Sequence, residues 1–431
     1  MQFVWSKPRR ALILLTALVA VAATLALYLI VIAGETSRVS GRVAYVVDGN
    51  LFIKELPDGE PRQITAENNA QHPRWSSTGE WLAYNTEPPI LAAGGSQAWV
   101  TNAATGEIRE AGFPAVWAPQ HDYFLTRVDN ESLDYHIVTA DGTVLHVLEQ
   151  PRERGARTLS SVMWTADGEG IAYIFILGRR PDDGAEIRVR NIKSGRDEVL
   201  YTHESDTPYV YGWSSDGQFL FFIVDETSKI LSLDTREVVD TGKEIGIASR
   251  GSQQPDGNSI LAVETTANGI WQGKRIGLVE PTSGEFTYLT NPEVAAIHAR
   301  WSPDGSQISY IAGPDRSGTP EPTTPQEVEA LIDNRHVWIM DADGSNQRQL
   351  TTEPRYRDED PEWTADGEHL LFVRIDLEFP DRDPSLWVLD VSTGQTTLLV
   401  ERMSYPPPRL AILPEGTSFL GTVEWLYDFH N

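Results

Sequence analysis

One phrase, an apolar or aromatic residue followed by two small residues, an acid and a glycine, recurs along most of this chain. The clearest copies are Trp164-Thr165-Ala166-Asp167-Gly168, Trp213-Ser214-Ser215-Asp216-Gly217, Trp301-Ser302-Pro303-Asp304-Gly305 and Trp363-Thr364-Ala365-Asp366-Gly367. Looser copies start at Trp75, Trp117, Gln253 and Ile412, which makes eight starts separated by 40 to 62 residues. Self-similarity at about the length of four strands is the mark of a β-propeller: one blade cannot bury its own faces, so copies of it must stack.

Each copy reads as four strands. Apolar residues before the Trp make an innermost strand, the Asp-Gly turn follows, and β-forming runs such as Gln307–Ile311 and His369–Val373 make a second. A third strand, as in Val337–Met340, runs into a second tight turn, and these turns also number eight, from Asp58-Gly59 to Thr393-Gly394. The fold class expected is therefore all-β, a propeller of four-stranded blades. The chain enters the ring at residue 42 with second, third and fourth strands and ends with Leu410-Ala411-Ile412, a first strand without partners, so the termini should share one blade. Because Ser418-Phe419-Leu420 also reads as a second strand and two segments cannot fill one slot, eight blades is the expectation and seven the alternative.

Residues 11–33 carry no charge and are almost all Ala, Leu, Ile and Val. As a helix they would reach roughly 35 Å, enough for a hydrocarbon core of about 30 Å. Lys7, Arg9 and Arg10 precede the span, which places residues 1–10 in the cytoplasm and, after a linker at 34–41, the propeller of residues 42–431 outside it. A cleaved signal peptide is the competing reading. Setting aside those three basic residues, the remainder carries a net charge of −30, which repels phosphate backbones and makes nucleic acid a poor partner. With no cysteine, the chain uses neither disulfides nor thiolates.

The turns after each Trp are uniform, whereas the connections between second and third strands vary and include an insertion at 313–335. Variable loops on a rigid scaffold are where binding concentrates. Within the insertion, Thr324-Pro325-Gln326-Glu327 is a capping box, and Val328, Leu331 and Ile332 form one stripe of a short helix that packs on its own blade or docks a partner. The residue three before each Trp, or before Gln253 in the copy that lacks one, lies near the channel mouth, and that place holds His72, Arg250, His298 and Asp360. Such a set receives an anionic or peptide terminus, or stands as solvated polar residues. No histidine pair has metal-ligand spacing, no G-x-S-x-G or H-E-x-x-H is present, and no catalytic residue, metal or cofactor is assigned.

The W-S-P-D-G turn with its following strand (Trp301 to Tyr310), and the third strand, turn and R-x-L-T of Val337 to Thr351, resemble the WD40-like β-propeller repeat of the TolB family. The resemblance extends over roughly residues 41–431 and implies an extracytoplasmic protein-interaction platform, with partners reaching into the channel mouth. The chain differs from TolB in its N-terminal apolar span, where TolB has a cleaved signal and a small α/β domain. The expected function is thus a membrane-anchored, non-enzymatic platform for a protein or peptide. The alternatives are an extracellular hydrolase or lyase using channel carboxylates and a sensor of a small ligand or cation.

Overall fold

The W-[ST]-x-D-G phrase is a self-contained turn. The Thr165 and Ser302 hydroxyls donate to Asp167 and Asp304 at 2.6 Å in each case, and the same carboxylate oxygens accept the backbone N–H of Glu169 and Ser306. The hydroxyl also accepts the N–H five residues on, at 2.9 Å for Thr165 and Gly170. Gly168, Gly305 and Gly367 each sit at φ 70°, a left-handed conformation that costs any residue with a Cβ. The hydroxyl, the carboxylate and the glycine of the phrase are thus all used to reverse the chain within five residues.

The computed structural model describes residues 39–67, 69–86, 97–127, 134–149, 159–178, 183–247, 254, 259–264, 273–315, 327, 332–379, 382–404 and 423–426. The apolar span expected at 11–33 lies outside them, and among the described residues no helix is long and apolar enough to cross a membrane.

The strands form eight antiparallel four-stranded blades. Blade two (inner strand Ala70–Trp75) and blade three are hydrogen-bonded into one seven-stranded sheet. Ile108–Trp117 serves as the outer strand of the former and the inner strand of the latter. The inner strands of blades four to eight are Leu159–Trp164, Tyr209–Trp213, Ile245–Ile247, Val294–Trp301 and Tyr356–Trp363. Blade one takes Gly41–Val47, Asn50–Leu56 and Arg62–Gln63 from the start of the chain and its inner strand, Val423–Leu426, from the end.

The closing strand differs from the expectation. Leu410-Ala411-Ile412 lies outside the described residues, and the partner of Gly41–Val47 is Val423–Leu426, with Val43 opposite Trp425 and Ala44 opposite Glu424. The unpaired edge takes a segment whose register satisfies its backbone groups.

Blades are fastened by their tryptophans. Trp117, Trp164 and Trp363 are 5–8% exposed. Each donates its indole N–H to the carbonyl just before the corresponding Trp of the preceding blade: Arg74 at 3.0 Å, Val116 at 2.8 Å and Arg300 at 3.2 Å. The buried Trp therefore also carries a directional bond from one blade to the one before it.

Registers decide the two faces. In all six copies with a described Trp turn, five residues separate the inner strand from the second. On the opposite face the second-to-third connections run from Thr86 to Gln97, Ile176 to Ala185, Glu264 to Arg275, Pro314 to His336 and Asp376 to Ser385. Val294 pairs with Pro314 and Ala312 with His336, so these connections share a face with the beginnings of the inner strands. Ile332 is 3% exposed and belongs to the same apolar cluster as Ile308, Val337 and Trp363, while Val328 and Leu331 lie outside the described residues.

Candidate functional site

The inner strand slips its register two or three residues before each described Trp. Pairing shifts between Gln71 and Arg74, Phe113 and Val116, Ser160 and Met163, Val210 and Gly212, Ile297 and Arg300, and Glu359 and Glu362. A bulge of this kind bends the strand and re-aims one side chain. In blades two, seven and eight the bulged residue is His72, His298 or Asp360, with φ 51°, 56° and 49°. Left-handed backbone costs an L-residue roughly 1–2 kcal/mol. Arg250, at the same place in blade six, lies outside the described residues.

Two of these residues meet. His298 Nδ1 stands 3.1 Å from Asp360 Oδ1 across the seam between blades seven and eight, with a quarter of the imidazole and 9% of the carboxylate side chain exposed. Desolvation pushes the His298 pKa down to about 4, opposed by the charge of Glu359 and reinforced by Arg300 and Arg335. The imidazole is therefore neutral at pH 7. His72 occupies the equivalent bulge of blade two and is not brought into this pair.

Beneath the pair lies an ionic seam. The inner strand of blade eight reads Tyr356-Arg357-Asp358-Glu359-Asp360-Pro361-Glu362-Trp363, whereas that of blade seven buries Ala295, Ala296 and Ile297. Asp358 is fully buried and accepts from Arg374 at 2.7 and 3.3 Å, with His336 Nδ1 at 3.5 Å. Burial alone would raise this carboxyl. Hydrogen bonds from His336, Arg374 and Thr351, with the Arg374 charge, hold it below the usual carboxylate range. Arg374 is itself cradled by the rings of Tyr356, Phe372 and Trp387, 4.8 to 5.0 Å away.

The seam continues across the blades. Glu359 receives Arg335 at 3.1 Å and Arg357 at 3.4 Å, Arg357 also reaches Asp333 at 3.4 Å, and Arg300 meets Glu362 at 3.3 Å. The Asp358 amide donates to the Arg335 carbonyl at 3.0 Å, which ties blade eight to the end of the 313–335 insertion. The insertion is thereby anchored by charge at its C-terminal end, directly under the mouth.

Sequence reasoning picked out His298 and Asp360 separately and missed Arg335, His336, Asp358, Glu359 and Arg374. A signal was present: four consecutive charged residues, Arg357 to Asp360, occupy an inner strand that other blades fill with apolar side chains. Chemically, the site offers a neutral imidazole and a carboxylate held by a rigid ionic support. That set can donate and accept hydrogen bonds.

The fold and its mouth define an eight-bladed β-propeller with a polar site on its variable face. No family model matches the chain. A stretch of 119 residues is 29% identical to the uncharacterized peptidase YuxL of Bacillus subtilis (strain 168), covering 27% of this chain and 16% of that protein. Among solved structures, the chain is similar to the dihydro-heme d1 dehydrogenase NirN, with 14% identity over 86% of this chain and 74% of that one and a TM-score of 0.57. TolB from Acinetobacter baumannii is also a neighbour, with 14% identity over 86% of this chain and 67% of that one and a TM-score of 0.39. Likeness at such identity concerns the fold alone.

Proposed function

We propose that this chain is a membrane-anchored, extracytoplasmic propeller that binds a protein or peptide at the mouth of its variable face without transforming it. The observation that carries this reading is the mouth itself. His72, His298 and Asp360 are held in left-handed backbone at inner-strand bulges, and strain concentrated at one register position across separate blades marks a site shaped for something other than stability. The contrast between uniform turns on one face and long connections on the other supports the same reading. Residues 11–33 would hold the ring at the extracytoplasmic surface of the cell membrane, with the N-terminus in the cytoplasm.

The reading is tested by placing a photo-crosslinking residue at His72 or His298 in cells, with Asp343 on the short-turn face as control. Adducts to a protein or peptide are expected at the mouth positions, at least tenfold above the control. Adducts equal at all three positions, or none at the mouth, would overturn it.

Similarity to the peptidase YuxL favours one second reading, hydrolysis of a peptide through mouth carboxylates. Incubating the full-length chain with a peptide library decides it: no cleavage is expected. Cleavage that disappears in Asp360→Asn would replace the binding reading with a hydrolytic one.

A further inference from the structure

Blade five breaks the tryptophan pattern that fastens the ring. Trp75, Trp117, Trp164, Trp301 and Trp363 are 5–8% exposed, whereas Trp213 is only partly buried. Its indole N–H is buried without a hydrogen-bond partner. It therefore does not reach the Met163 carbonyl, the counterpart of the carbonyls that Trp117, Trp164 and Trp363 engage. A buried donor left without its bond costs stability. At this seam, on the short-turn face, a cleft of about 300 Å³ lies between blades four and five, with Trp213 in its wall.

The turn between the third and fourth strands of blade five departs from its sisters as well. In four of those turns Gly106, Gly195, Gly284 and Gly394 sit at φ 67–73° and donate their N–H to the carbonyl four residues back. Arg236 makes the same bond to Ser232 at φ 62°. That conformation suits glycine and strains a residue with a Cβ. The Arg236 side chain lines the cleft and crosses the seam to Glu198, on the outer strand Asp197–His203 of blade four. Strain accepted at the wall of a cleft is a mark of a site shaped for a ligand.

The lining sets the chemistry of that ligand. Leu200, Leu233 and the Trp213 ring supply apolar wall. The charged groups are Asp167, Asp216 and Glu198 against Arg236 alone, three carboxylates to one guanidinium. Asp167 and Asp216 each use Oδ1 to accept a hydroxyl and an amide N–H of their own turns, neutral donors that leave the negative charge in place. A lysine or arginine side chain complements this wall: its aliphatic stem covers the apolar part, and its cation meets the carboxylates and the indole face. The volume stands at the lower end of the roughly 300–1,000 Å³ of ligand pockets, room for a long side chain. We propose that the seam between blades four and five binds an extended peptide through one basic side chain, at a second site on the face opposite the mouth.

Binding of dye-labelled Gly/Ser nonapeptides with one central lysine, norleucine or glutamate to the full-length chain, followed by fluorescence anisotropy, tests the proposal. The lysine peptide is expected to bind at least tenfold tighter than the other two. Asp167→Asn with Asp216→Asn should weaken it at least tenfold, and the amide Oδ1 of each can still accept the bonds of its turn. Arg236→Gly, which frees Glu198 and relieves the strain, should bind it at least threefold tighter, with an unfolding midpoint no lower than the parent's. Asp343→Asn removes one charge from the same face at blade seven and should leave affinity within twofold of the parent. Equal binding of the lysine and norleucine peptides, a loss in Asp343→Asn as large as in the double variant, or weaker binding in Arg236→Gly would overturn the proposal.

Discussion

Asp358→Ala is expected to lower the unfolding free energy by about 3–5 kcal/mol, the cost of leaving a buried partner charge uncompensated. The charge stranded would be Arg374, 4% exposed and bonded twice to this carboxylate, with His336 losing a partner as well. Equilibrium denaturation of the variant checks the magnitude. The control is Asp358→Leu combined with Arg374→Met, which removes both charges and is expected to recover most of the loss, because well-packed apolar replacements of a buried pair are often neutral or better. A single variant as stable as the parent, or a double variant no better than the single, would show that the seam contributes nothing as an ion pair.

The same groups set the response to acid. The Asp358 pKa is depressed in the folded chain, so its contribution is complete above the unfolded value of about 3.9 and is lost as pH falls through the lower folded value. For His298, with a folded pKa of about 4 against roughly 6.5 unfolded, the unfolded chain takes up the proton first, so stability declines as pH falls from about 6.5 towards 4. Denaturation midpoints measured across this range should therefore fall in two stages, and Asp358→Ala should remove only the more acidic one.

Ending the chain after Ser404 is expected to have the larger effect. It removes Val423–Leu426 and leaves Gly41–Val47 as an unpaired edge whose Val43, Ala44, Tyr45 and Val46 are at most 3% exposed in the intact ring. Open, apolar edge strands recruit other chains. The truncated chain should lose its single cooperative unfolding transition and elute as oligomers or aggregate, and a synthetic peptide of residues 405–431 should restore the monomer. A truncated chain that stays monomeric with an unchanged transition would mean that the ring is closed elsewhere.

Much of the architecture is legible without coordinates because its information is local. Trp301 to Gly305 contains the hydroxyl, carboxylate and glycine that reverse the chain, so each of the six described Trp copies announces the turn of its own blade. Loop lengths are equally local, and with them the distinction between the two faces. The candidate site was legible only in part. His298 and Asp360 could be placed at the mouth by counting back from Trp301 and Trp363, but their contact joins residues 62 positions apart on separate blades.

The repeat, the turn chemistry and the uneven loops were determined by the sequence alone, since each depends on hydrogen bonds and strand preferences within a few residues. Three features were decided only by tertiary structure. The ring closes through Val423–Leu426, the inner strand bulges two or three residues before each described Trp, and Arg335, Asp358, Glu359 and Arg374 assemble into one seam beneath His298 and Asp360. Each depends on which distant backbone edge or opposite charge a residue meets once the blades are stacked, and burial then fixes the arrangement because an unpaired edge or an unpaired charge there is costly.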